Sequence, residues 1–431
     1  MSRGAAPAAD PAAPRAPAER VLALDAFRGL VVAGMLLVNN PGHPERAPAQ
    51  LRHAAWGQGI TFADLVMPWF LLAIGVSIPF AVRAWFAQPR AATPLRASRG
   101  LWRVAAAATA AVLLANECVR FLPAALAWAM VFGLAWLVQE VVFDLRDGPF
   151  WCRVLRRGWT LMILGWILVS SAQRRVVIGL DVLQHLGIVS VTGTLLYVHA
   201  RRQRWWIVGG ILAAHTALLR LVPVPGVGAW VLNQDVNIVR WLNREVFGPY
   251  HLAGLVSPFA TTALVGIGTW VGDVLADRHP PPGQTCLRLT LAGTLLMAVG
   301  WVWHLDLPFS KEVWTAPYLL VAGGMGTVLL AGMNYLATGA GRTRWASPWV
   351  VFGRNAITAY FGAILVKHCT LDLWQVGPPH GGGQSVRSWC VDRLSEALGE
   401  RAGSLAFTLL YVTLVWLGCL ALHRRGIHWR V

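Results

Sequence analysis

Charge is scarce in this chain: Asp, Glu, Lys and Arg together make up 13% of 431 residues, and acidic residues number only 20 against 37 Lys and Arg. With 56% hydrophobic residues and a mean hydropathy of +0.52, there is too little polar surface to cover a soluble globule of this length. CxxC, HxxxH and HExxH spacings are all missing, so six cysteines and twelve histidines give no metal-ligand pattern, and no metal is expected. The chain also lacks a GxSxG elbow, a P-loop, and a GxGxxG following a strand, so the chemistries those motifs carry are excluded. The arginines form no patch with interleaved aromatics. They fall between apolar runs, so the formal charge of +17 reads as the bias that orients membrane helices, with no nucleic-acid partner.

What is present is a succession of apolar runs, each about 20 residues long, the length that crosses a bilayer as a helix. In hydrocarbon a helix satisfies its own backbone, and alternating barrel strands are not seen. The expected fold is an all-α, polytopic transmembrane bundle of about 10–12 spans, near 21–40, 62–82, 101–121, 124–143, 157–172, 183–200, 205–222, 254–276, 286–305, 316–338, 348–368 and 404–423. Residues 1–20, rich in Ala and Pro, read as a disordered cytoplasmic tail, and 21–431 as a single transmembrane domain with 101–143 as an extra hairpin. Placing the N-terminus inside makes the loops on that side basic, and an even span count then puts both termini in the cytoplasm. Cys369 and Cys390 fall in or beside one outer loop, as a pair or as separate small residues. Trp69, Trp85, Trp205, Trp206 and Trp349 lie near span ends and read as interface anchors.

Residues 22–75 hold the densest set of chemical groups: Asn39, Asn40, His43 and His53 in the loop between two spans, then Asp64 where the second begins. Imidazole titrates near neutral pH, which suits His53 to act as a general base or nucleophile. Asn39 can donate to an oxyanion, and Asp64 can orient the imidazole or cap its own helix. Asp25 and Arg28, three apart on one helix face, form a candidate internal pair. Gln184 with His185, and Arg354 with Asn355, begin spans and are candidates either to line the same cavity or to serve helix ends.

The block LDAFRGLVVAGMLLVNNPG, then HAAW, then GITFADLVMPWFLLAIGVSI resembles the heparan-alpha-glucosaminide N-acetyltransferase family. The resemblance continues at VLQHLGIVSV (182–191), LPFSKEVWTAPYLLVAGGMG (307–326), VVFGRNAITAYFGAIL (350–365) and LHRRGIHW. It implies that His53 is catalytic, with Asn39 and Asp64 at matching positions. It also implies acetyl-CoA as the cytoplasmic co-substrate, an amino sugar or glycan acceptor on the outer side, a bacterial inner membrane, and a homodimer as a plausible assembly. Departures from the pattern are a His53 to Asp64 interval one residue longer, His185 in place of arginine, and His251-Leu252-Ala253-Gly254 in place of an acidic element. CoA phosphates require basic groups, for which Arg83, Arg99, Arg103, Arg157 and Arg344 are candidates. Arg157, Gln184, His185, Arg354 and Asn355 form the expected cofactor-binding set. A non-catalytic sugar transporter and an O-acyltransferase of envelope polysaccharide are the alternative readings, and acetyl-enzyme and direct transfer both remain open.

Overall fold

A computed structural model of the protein describes residues 21–87, 148–173, 177–376 and 383–427. The expected tail at 1–20 and hairpin at 101–143, with Arg99 and Arg103, lie outside the described residues.

Among the described residues the apolar runs are helices, the form in which a backbone can enter hydrocarbon without orphaned polar groups. In chain order they are α1 (Leu22–Asn39), α2 (Phe62–Phe86), α3 (Gly148–Gln173), α4 (Val182–Ala200), α5 (Arg204–Leu221) and α6 (Val256–Ala276). There follow α7 (Pro282–His304), α8 (Ala316–Asn334), α9 (Ser347–Arg354), α10 (Ala363–Cys369), α11 (Val386–Leu398) and α12 (Glu400–Arg424). Strand among the described residues is one antiparallel pair, Gln375–Val376 with Gln384–Ser385. The all-α bundle is as expected.

By length and composition, seven helices can cross a membrane: α1, α2, α4, α6, α7, α12, and α8 with its continuation to Gly339. This makes the protein a multi-pass membrane protein. The estimate of ten to twelve spans comes down among the described residues. Each expected span that falls within them coincides with a helix, but two are more polar than the rest: α3 carries Arg153, Arg156 and Arg157, and α5 carries Arg204, His215 and Arg220. The 348–368 run is not one rod but two pieces, bent by 66° at a break that holds Asn355 and counted at most as an eighth span.

Small residues set the centre of the bundle. Gly75 and Gly272, where α2 and α6 cross, leave no room for a Cβ beside the carbonyls of Val265 and Val76, the close approach that holds helices together in lipid. The same device joins α1 to α9. A Cβ on Gly29 would overlap the Trp349 carbonyl, and one on Gly353 would overlap that of Asp25. Around these crossings Phe27, Leu71, Leu72, Leu264, Ile267 and Leu319 are fully buried. Gly353→Val is therefore expected to cost about 3 kcal/mol or more, read as a large drop in the melting midpoint of the detergent-purified protein. An unchanged midpoint would contradict the α1–α9 contact.

One expectation of detail changes here, and one open alternative closes. Trp69 is no interface anchor but is buried in the core, its indole N–H donating to the Ala322 carbonyl at 3.0 Å. Cys369 and Cys390 stand as free thiols.

Candidate active site

The loop that leaves α1 is tied down by distant partners. Gly42 N–H donates to Thr408 Oγ1 (3.3 Å) and His43 N–H to Ser404 Oγ (2.7 Å), both on α12, and Arg387 of α11 donates to the Pro41 carbonyl (2.7 Å). Two short turns, Pro44–Arg46 and Ala49–Leu51, then bring the chain back to the start of α2. There Thr61 Oγ1 donates to the Arg52 carbonyl (2.7 Å), which sets the position of the next residue, His53.

Asp64 answers both roles expected of it by dividing them between its oxygens. Oδ1 accepts from His53 Nδ1 at 2.8 Å, and Oδ2 accepts from the backbone N–H groups of Ala54 and Thr61, each at 3.1 Å. The second set satisfies donors at the helix start, where a carboxylate is favoured. The first fixes the imidazole: a carboxylate can only accept, so Nδ1 carries the proton and Nε2 is left as the basic nitrogen. The longer His53 to Asp64 interval thus does not separate the pair. Tyr318 Oη donates to the Asp64 carbonyl at 2.6 Å and anchors this corner to α8.

Lys311 completes the group. Its Nζ lies 3.1 Å from both His53 ring nitrogens. Burial lowers its pKa from the usual lysine range, with the Asp64 charge opposing. The turn that presents it is closed by Thr315 Oγ1, which accepts from Ser310 N–H and donates to the Pro308 carbonyl, each at 3.0 Å. Trp314, in the same turn, holds a left-handed backbone at φ 54°, a strained conformation for a bulky residue and of the kind that clusters at functional sites.

These groups open on a cavity of about 250 Å³, lined also by Asn39, Asp181, His185 and Trp314. The His53 side chain is half-exposed to it. His185, expected among cofactor ligands, belongs instead to this wall, its Nε2 paired with Thr261 Oγ1 at 2.7 Å. Neighbouring Gln184 lines neither this cavity nor the second one. It is buried against Gly165, and its Oε1 accepts from Asp181 N–H at 3.3 Å, the helix-end role.

A second chamber, of about 500 Å³, lies toward the other end of α1. Its lining is mostly apolar, and the charged residues on it among those described are Arg28, Arg157, Arg354 and Asp25. Asp25 pairs with Arg28 at 3.6 Å and Arg354 at 3.7 Å, and Arg28 also donates to Ser77. Among the described residues Arg157 Nε is a buried atom without a hydrogen-bond partner, while Arg354 Nε and Asp25 Oδ2 face each other at 3.7 Å, beyond hydrogen-bond distance. Asn355, at the break between α9 and α10, is fully buried and does not line the chamber. Met35 belongs to both linings, so its side chain stands between the two cavities. From Asp25 to Met35 is about 15 Å along α1.

Other basic candidates are placed elsewhere. Arg83 donates to Asp273 at 2.6 Å, a carboxylate that Arg201, Arg204 and Tyr197 also engage. Arg344 sits in an exposed turn. Lys311 is the residue that reading the sequence by span and motif passed over. Its signal was compositional, since Lys311 and Lys367 are the chain's only lysines among 37 basic residues.

No family model matches the chain. The mouse (Mus musculus) heparan-alpha-glucosaminide N-acetyltransferase is 41% identical to it over 64 residues. That stretch is 15% of this chain and 9% of the mouse protein. The likeness is thus local, and covers far less than two thirds of either chain.

Proposed function

We propose that the chain is a transmembrane acyltransferase that carries an acetyl group from cytoplasmic acetyl-CoA to an amino sugar or related glycan amine on the opposite side of a bacterial inner membrane. The observation that carries this reading is the placing of two cavities on either side of Met35, one holding an imidazole set by a carboxylate and the other lined by three half-buried arginines. The local likeness to an N-acetyltransferase supports the acyl-transfer class.

In this reading the Asp25 end of α1 faces the cytoplasm, where CoA is made. Guanidinium groups match phosphate oxygens in charge and geometry, so Arg28, Arg157 and Arg354 hold the nucleotide phosphates. The apolar remainder of the chamber receives the pantetheine arm, which passes Met35 to bring the thioester to His53. Nε2 then takes the acceptor's proton as the amine attacks, or takes the acetyl group first and passes it on.

Labelled acetyl-CoA with glucosamine as the acceptor probe tests the reading in detergent-purified protein. N-acetylglucosamine is the expected product. Arg354→Ala is expected to raise KM for acetyl-CoA on the order of tenfold or more, the usual worth of a charged hydrogen bond, with a smaller change in kcat. An unchanged KM would remove Arg354 from the donor site, and no product from any amine acceptor would remove the acyl-transfer reading.

A further inference from the structure

Resting on that acyl-transfer reading, we propose that Lys311 is a catalytic residue whose ammonium holds the negative oxygen formed when the thioester carbonyl is attacked at His53. The position of Nζ is the main argument. It is equally far, 3.1 Å, from Nδ1 and Nε2. A partner in line with either lone pair would stand much farther from the other nitrogen, so the amine flanks the ring without plugging Nε2. The base is left open to the cavity, with a cation beside the place where a carbonyl attacked by an amine held at Nε2 would put its oxygen. Asn39, on the wall of the same cavity, is a second donor within that space.

Charge accounting points the same way. Asp64 commits Oδ1 to His53 and Oδ2 to the Ala54 and Thr61 N–H groups. With the imidazole neutral, carboxylate and ammonium cancel, and the new charge to be met in the transition state is the oxyanion. A preorganised donor aimed at developing charge in a water-poor site is usually the largest single catalytic contribution. The residue type also fits. In a chain that otherwise uses arginine almost throughout, this position has the compact point charge suited to one oxygen atom, not the planar fork suited to a carboxylate or phosphate.

The step balances as follows. The acceptor nitrogen bonds to the carbonyl carbon while Nε2 takes a proton from it, and the C=O π pair moves onto oxygen beside Lys311. Collapse restores the C=O bond and breaks the C–S bond, and the departing thiolate takes the proton from Nε2. Acetyl thioester and amine become amide and thiol, and Lys311 begins and ends as ammonium.

The test compares wild type, Lys311→Met, Lys311→Arg and Lys311→Cys for acetyl-CoA turnover, with melting recorded for each. Lys311→Met is expected to lose about a hundredfold in kcat while KM for acetyl-CoA stays close to wild type. Alkylating Lys311→Cys with 2-bromoethylamine rebuilds the ammonium and is expected to restore a substantial part of the rate, wild type treated alike serving as control. The pH profile gives an independent readout. The titratable groups around the ammonium are His53, Asp64, and across the cavity Asp181 and His185. Because burial lowers the Lys311 pKa, the wild-type rate should fall at a lower alkaline pH than an ordinary lysine would give, and Lys311→Arg should lose that limb. A folded Lys311→Met that turns over at the wild-type rate, or a folded, alkylated Lys311→Cys with no recovery, overturns the proposal and leaves the acyl-transfer reading standing. An inactive wild type overturns that reading and this one with it.

Discussion

His53→Ala is expected to reduce acetyl transfer at least about a hundredfold and to leave the melting midpoint close to wild type. The two halves of this expectation have separate causes. The rate falls because Nε2 is the basic nitrogen on the cavity wall, while Asp64 is committed to hydrogen bonds and His185 is paired with Thr261. The fold survives because the ring is half-exposed, so its removal opens no core cavity. The check is turnover of labelled acetyl-CoA together with a melting curve. A variant that melts normally and still transfers acetyl at the wild-type rate would end the catalytic assignment of His53.

Asp64→Asn is expected to be comparably severe, on the order of a thousandfold in kcat, by analogy with the loss when an imidazole-orienting aspartate is made an amide. Three N–H donors converge on this carboxylate, from His53 on Oδ1 and from Ala54 and Thr61 on Oδ2, with the Thr61 hydroxyl also 3.0 Å from Oδ2. An amide offers one oxygen and one NH2 in their place, so one side must face donor against donor. If the NH2 faces His53, Nδ1 must shed its proton and Nε2 take it, and the base is lost. If it faces the backbone, the start of α2 loses its cap, worth about 1 kcal/mol. Rate and melting midpoint measured together distinguish the two orientations, and a variant with wild-type kcat would show that the His53–Asp64 hydrogen bond has no part in the chemistry.

Much of the bundle was legible because hydrocarbon leaves a backbone few options. Among the described residues, apolar runs of bilayer length read as helices and are helices, and the His53–Asp64 pair was within reach because only a short loop and one helix cap separate its members. Three things were harder. Gln184 and His185 were paired as candidates for one cavity, yet consecutive residues on a helix point in different directions, and they divide between a helix cap and a cavity wall. Lys311 reaches His53 across 258 residues of chain, a distance no local pattern spans. Lastly, α3 and α5 carry arginines within helices of spanning length, so two expected spans are more polar than the rest, and the bend at Asn355 falls inside a run that reads as one span.

Asp25 and Arg28 were expected as a local pair and are one, but their setting depends on partners far along the chain. Arg354 reaches Asp25 from α9, and Arg157 comes from α3 to the same chamber. The helix spacing of three residues predicts the first contact. It says nothing of the chamber that tertiary packing builds around it.

Proteoliposomes with the protein inserted in one known direction give the most direct test of the central claim, that donor and acceptor reach His53 from opposite faces, the donor passing Met35. Acetyl-CoA is supplied at the Arg354 face only and glucosamine at the His53 face only, and then the two are exchanged. The account predicts N-acetylglucosamine on the His53 side in the first arrangement and none in the second. Equal product in both, or product only when acetyl-CoA is on the His53 face, would contradict it.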